Sequence, residues 1–554
     1  MRESAVVAGE PDGGRSELRL ISTESACRRG CAALLALILR QACLAEVPSA
    51  ATPSLTEPSL TDPAPIARLI DAFNRRDDEA VVNAVANARA YEWIAANAPR
   101  FECPSSQLTE TYYFRWWSYR KHIKQTSVGR VVTEFLVPVS HAGDYNTISC
   151  AFGHHLAEGR WLRDQSFLDE YVRFWFHGGE AGGPAEHFHK FSSWAAASLY
   201  DRYLVTGDRR RLVDLLDDLI ADYALWEAER LTPEGLFWQY DVRDGMEESI
   251  SGSRTAKHLR PTINCYMAAN ARAISRIAHL ASRADVAARF AKKSDDLISK
   301  LHAATWDANA EFFKVRLESG ELSDAREAIG YLPWTFGVAQ HEHASAWREI
   351  RDPAGFMAPR GLTTAERRHP AFRTHGTGTC EWDGAVWPFA TSQTLVGLAN
   401  VLRGPPQPYV TRRDFFDQLL RYAAAHQQDG EPYIGEYHDE KTGAWLITGP
   451  KAERGRFYNH STFADLVIAG LVGIVPREDD QLEVSPLVPV DAWDWFCLED
   501  VPYRGHAISV VWDRDGARYN CGRGLSLWCD GVRLACSPTL QRITAPLPPP
   551  AKAE

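Results

Sequence analysis

The stretch of this chain best supplied with groups able to do chemistry runs from Asp241 to Asn270. It opens with four acids in eight residues, Asp241, Asp244, Glu247 and Glu248, passes through a Gly/Ser-rich basic loop, and enters a strongly amphipathic pattern. Phe237, Trp238 and Tyr240 come just before the acids, and Arg254 and Arg260 just after. On an ordinary surface turn this company is wasteful, whereas a pocket that sets a few polar groups among aromatic walls uses all of it. The chemistry within reach is acid–base: one carboxyl donates a proton while a second carboxylate accepts one or activates water. The plainer alternative is a solvated acidic turn that caps the next helix.

A chain of 554 residues with 45% hydrophobic content is ample for a large core and smaller appendages. A net charge of −11 and no run of Lys or Arg argue against nucleic acid as partner, since phosphate binding needs a basic face. Aromatic residues make up 11% of the chain and include 18 Trp, which suits stacking on sugar rings as well as packing. Residues 1–49 read as a leader with a signal-peptide pattern: Arg28 and Arg29 precede CAALLALIL, and small residues follow, although Arg40 interrupts the run. The apolar run is too short to span a bilayer, so the expectation is an exported protein that leaves the membrane after cleavage. Residues 50–65, rich in Pro, Ser and Thr, read as a disordered linker. Of 11 Cys, three lie in the leader and none shows metal-ligand spacing. Cys497, Cys521, Cys529 and Cys536 either pair on export or stay as free buried thiols.

From about residue 66 to 474 the periodicity predicts helix after helix joined by aromatic loops. Helices are expected over 78–97, 110–124, 144–158, 166–175, 187–206, 209–230, 261–283, 286–306, 385–403, 411–426 and 457–473, with a short strand excursion within 126–140. Helical hairpins in series without alternating strands point to a mainly α fold, a closed toroid of paired helices. Residues 475–547 alternate apolar and polar residues around Gly turns and predict a small C-terminal antiparallel β-domain, followed by a tail at 548–554.

Four segments then occur in a telling order: GMEES at 245–249, CEWDGAVWPFATSQT at 380–394, IGEYHDEKTGA at 434–444 and YNHSTFADLVIAGLVGI at 458–474. Together they resemble the six-hairpin glycosidases, specifically the mannosylglycerate hydrolase-like catalytic domain related to glycoside hydrolase family sixty-three and, more remotely, to trehalase. The resemblance covers roughly Ile66 to Pro489. It implies an (α/α)6 barrel whose funnel holds an acid and a base for inverting hydrolysis. The family's acid is an Asp in a Ser-Gly-Met/Trp-Asp-Asn stretch, and the matching position here is Glu247. That departure leaves Asp244 and Glu248 as alternative acids. The family's base is the Glu of a Glu-x-Tyr segment, matched here by Glu436, with Tyr437 adjacent to it and no residue between.

Cleavage of a glycosidic bond asks for the same pair, because its oxocarbenium-like transition state needs a proton on the leaving oxygen and a carboxylate to activate water. Trp238, Met246, Trp382 and Trp387 are placed in sequence to wall the acid with apolar surface and raise its pKa. Trp382, Asp383 and Trp387 read as a stacking floor with a hydroxyl-binding acid, or as a packed loop; Tyr437 joins the substrate contacts. Arg260 and Arg254 either clamp a substrate carboxylate or pair with the local acids. Glu381 is a further candidate acid. His187 and His189 make an HxH pair without a third ligand, so neither a metal nor a cofactor is expected. His154, His155 and His460 read as core or hydrogen-bonding residues, and Asp465 as bonding within the last helix pair. The reading is therefore an inverting, metal-independent glycosidase acting on a small glycoside or the terminal sugar of an oligosaccharide. Its rivals are a lyase or phosphorylase on the same toroid and a catalytically inactive carbohydrate-binding protein.

Overall fold

The computed structural model describes residues 59–549. The leader and the linker up to residue 58 lie outside the described residues. The rest of the expected linker is ordered chain: Asp62 caps the helix Pro63–Arg76 by accepting the N–H of Ala64 at 2.9 Å.

Six outer elements alternate with six inner ones among the described residues. The outer set is Ser106–Lys121, Ser166–His177, Leu216–Arg230, Ala284–Thr305, the 3-10 run His341–Ile350, and Arg412–Ala425. Each is followed in the chain by an inner partner: Phe152–Gly159, Ala195–Thr206, Pro261–Leu280, Ala328–Tyr331 with Leu332–Thr335, Pro388–Arg403, and the π-helical Leu466–Val472. The outcome is the (α/α)6 toroid, with successive inner helices packed side by side. Local chemistry sets the boundaries. Ser105 accepts the N–H of Leu108 at the start of Ser106–Lys121, and Thr411 and Asp414 form a capping box before Arg412–Ala425. Pro261 and Pro388 open their helices where the missing N–H costs nothing.

The ring is closed by Glu158, on the first inner helix. Its carboxylate accepts the N–H groups of Phe463 (3.1 Å), Ala464 (2.9 Å) and Asp465 (3.0 Å), which are otherwise without partners at the start of the last inner helix. Asp465 in turn accepts from Arg160 and the Trp161 indole, both at 2.7 Å. Asp465 therefore bonds to the first inner pair and not within the last. Several helix expectations are corrected as well. Residues 78–97 are helical only at Ala90–Asn97 and the short turn before it, 144–158 only from the short turn at Ser149, and 187–206 only from Ala195. The last helix begins well after residue 457, where Phe457 sits at φ 53° and the residues up to 463 are not helical.

The C-terminal region is antiparallel β, with a three-stranded sheet and a five-stranded one. The larger sheet borrows its edge strand from the far end of the chain: Arg100–Glu102 pairs with Trp495–Tyr503 in the register Arg100↔Glu499. Glu499 also accepts the N–H groups of Leu60 (2.9 Å) and Thr61 (3.1 Å). Cys497, Cys521, Cys529 and Cys536 are free thiols, and no disulfide occurs among the described residues. Among them, too, no helix is long and apolar enough to cross a membrane.

Candidate active site

Every inner helix presents its N-terminal end to the same rim, so the loops arriving from the outer helices all cross there. Glu134, Glu247, Glu327, Glu381 and Glu436 each sit on one of these arriving loops. The acids of 241–248 are sorted by a tight local turn. The short helix Asp241–Asp244 ends at Gly245, whose φ of 69° is left-handed and comfortable only for glycine, and Glu248 follows at φ 64°. These two reversals point the three rival acids in different directions.

Asp244 turns inward and binds Arg260 Nε at 2.6 Å, with both side chains wholly removed from solvent. Of the two readings of Arg260, substrate clamp or partner of a local acid, the structure shows the second, and Asp244 is engaged by that pairing. Glu248 turns outward to Arg254 at 3.0 Å, with His375 Nε2 at 3.7 Å on its other side. Glu247 lies within electrostatic reach of Glu436. Burial, reinforced by the charges of Glu436 and Asp241, pushes its carboxyl up to about 7.

Glu436 is 6% exposed and accepts from Arg454 Nη2 at 2.6 Å. Burial raises its pKa while Arg454 opposes the rise. Both carboxyls are thus raised by burial, and of the two only Glu436 has a guanidinium bonded to it to oppose the rise. Tyr437 is fixed by its hydroxyl, which accepts the N–H of Cys380 at 3.2 Å.

The aromatic candidates are more enclosed than the sequence suggests. Trp382, Trp387 and Tyr437 form one stack, with ring centroids 4.4 and 4.5 Å apart, so Trp387 has a ring on each face and offers none to a sugar. Trp238 is likewise covered, with Arg230 at 4.4 Å and Lys257 at 4.8 Å over its ring. Asp383 is buried and tied to His375, whose backbone N–H it accepts at 3.0 Å, so it pins the 373–383 loop. Glu381 is bound by Arg373 at 2.7 Å and by the Gly378 N–H at 2.7 Å. His189 lies against Asp222 (3.2 Å) and Glu229 (3.6 Å).

Three further groups near this pair were not singled out from the sequence: Glu134, Tyr458 and Arg454. Glu134 faces both Glu247 and Glu436, and burial holds its carboxyl well above the usual range. Its signal was present, a lone acid inside the apolar run VVTEFLV. Arg454 sits in a basic segment just ahead of Tyr458 and had no distinguishing mark.

The sequence matches two families. Residues 144–461 match the mannosylglycerate hydrolase MGH1-like glycoside hydrolase domain, and residues 476–535 match the C-terminal domain of glycosyl hydrolase family 65. Among solved structures, a protein named sialidase is 47% identical with a TM-score of 0.86, over 88% of this chain and 45% of that one. This chain thus spans under half the length of that relative. A family 78 rhamnosidase from a Bacillus species shares the fold at 13% identity and TM-score 0.54, over 76% of this chain and 40% of that one. A family 63 mannosylglycerate hydrolase from Thermus thermophilus aligns at 16% identity and TM-score 0.47, over 64% of this chain and 98% of that one.

Proposed function

Because the chain belongs to the mannosylglycerate hydrolase MGH1-like glycoside hydrolase family, we propose that it hydrolyses a glycosidic bond with inversion, with Glu247 as general acid and Glu436 as general base. The observation that carries this is the unequal pair itself: two carboxyls in mutual electrostatic reach at the rim, of which only Glu436 is bonded to a cation. Glu247 keeps its proton near neutral pH and delivers it to the departing glycosidic oxygen. Glu436, ionised and oriented by Arg454, takes a proton from the water that attacks the opposite face of the sugar. The substrate is a small glycoside or the terminal sugar of an oligosaccharide.

The sialidase name of the long relative suggests an acidic sugar, whose carboxylate calls for a free arginine fork. Arg254, Arg260 and Arg454 are all engaged by carboxylates of the protein, so none of these three is a free fork for such a group. A screen of aryl glucosides, mannosides, rhamnosides and arabinofuranosides, followed by proton NMR of the first-formed sugar, tests the proposal. Inverted product supports it, and a retained anomer overturns the mechanism. Calorimetric binding of sugars without turnover of any glycoside would instead make the protein a carbohydrate-binding relative. Export is proposed on the leader pattern alone, with cleavage between Leu44 and Ser54. Intact mass of the secreted chain decides it, and a mature form that retains Arg28 counts against it.

A further inference from the structure

The backbone of Glu134 is held at the site on both sides. Its N–H donates to Asn146 O at 3.1 Å and its carbonyl accepts the Asn459 N–H at 2.9 Å, while Tyr458 N–H donates to Ile434 O at 3.2 Å. These bonds lace together the segments that carry Glu134, Glu436 and Tyr458. An apolar residue or a glutamine would leave the lacing intact, so the fold does not ask for an acid here. The side chain is 2% exposed and lies beside the Cys150 thiol, a member of a small apolar cluster with Phe135, Ile148 and Phe191.

The groups that face this carboxyl are the Tyr458 hydroxyl, the Cys150 thiol at 3.9 Å, and the carboxyls of Glu436 and Glu247. None is a cation. The nearby Arg454 is spent on Glu436, and Lys451 and Arg254 act on Glu436 and Glu247. A buried carboxylate without a cation costs several kcal/mol, and here it would stand beside a second negative charge. An undissociated carboxyl, by contrast, brings an O–H that needs an acceptor. We infer that Glu134 is a third functional carboxyl of this site, a positioning residue that holds the attacking water against Glu436 by donating a hydrogen bond from an undissociated carboxyl.

The inference rests on the hydrolytic reading above, and its test separates the two. Glutamine reproduces a neutral donor, so Glu134→Gln should lower kcat/KM by about threefold, whereas Glu134→Ala, which strands the water, should lower it by about 10- to 100-fold. The alkaline limb of the pH profile should stay in place in Glu134→Gln, because no charge has been removed from beside Glu247. A limb displaced to lower pH, a glutamine variant as inactive as Glu436→Gln, or an alanine variant with full activity overturns the inference. One further measurement needs no turnover. The infrared difference between the wild type and Glu134→Gln at neutral pH should show the C=O band of an undissociated carboxyl, and a carboxylate band in its place overturns the inference. If the band is present and no glycoside is cleaved, the hydrolytic reading fails and the proton on Glu134 stands.

Discussion

Glu247 holds its proton to about pH 7 because it is buried near two other acids with no cation bonded to it, and this has a cost for the fold. An acid whose folded-state value lies above its unfolded one binds more protons when folded, so stability falls as pH climbs from about 4.5 to about 7. Glu247→Gln removes that loss and should be more stable than wild type above pH ~7 by about 1–3 kcal/mol, read from denaturant melts at two pH values. A variant no more stable there places the raised pKa elsewhere. In catalysis the same variant should lose roughly 10²–10⁴-fold on substrates with poor leaving groups and much less on activated aryl glycosides. Glu436→Gln should be inactive on both, because water must still be activated. If Glu248→Gln shows the leaving-group dependence and Glu247→Gln does not, the acid is Glu248. Glu436 and Glu247 were legible because motif order carried them. Glu134 was marked only as a lone acid in an apolar run, because nothing in a linear chain shows that residue 134 arrives beside residues 247 and 436.

At the scale of elements, the rim loops are held by a buried ion pair, whose arginine also opposes the rise in pKa of the buried Glu327 nearby. Arg260 on the loop before Pro261–Leu280 and Asp244 on the acid loop are both wholly shielded, so removing one strands the other. Arg260→Met should destabilise by about 3–5 kcal/mol, and adding Asp244→Leu should restore much of that. Were Arg260 a substrate contact, the double variant would recover no stability while the Michaelis constant alone rose. Glu158 is the corresponding device at the ring closure, and Glu158→Ala leaves three N–H groups and the nearby Arg115 uncompensated, for a loss of about 3–5 kcal/mol in chemical unfolding. Helix pairing was readable from amphipathic period because each hairpin buries one stripe. The last inner helix misled at its start because the run LVIAGLV at 466–472 is apolar all round and gives no stripe from which to place the beginning of the helix.

For the whole molecule, the toroid and the β region share one sheet, since Arg100–Glu102 forms the edge strand beside Trp495–Tyr503. A chain truncated after residue 474 should therefore lose cooperative unfolding and aggregate, as an unpaired edge and the apolar faces it covers become exposed. Soluble, cooperative behaviour of that fragment, measured by calorimetry, would show the two parts to be independent. The sequence's change of texture near residue 475 marks where strands begin, but a three-residue strand separated from its partner by the whole barrel leaves no local trace. That pairing also sets a clock on biosynthesis. The partners Arg100 and Glu499 are 399 residues apart, so a ribosome adding roughly 5–20 residues per second needs about 20–80 s after the first has emerged to deliver the second. For that interval the nascent barrel has neither its closing helix nor its completed sheet, and remains open to whatever in the cell binds unfinished chains.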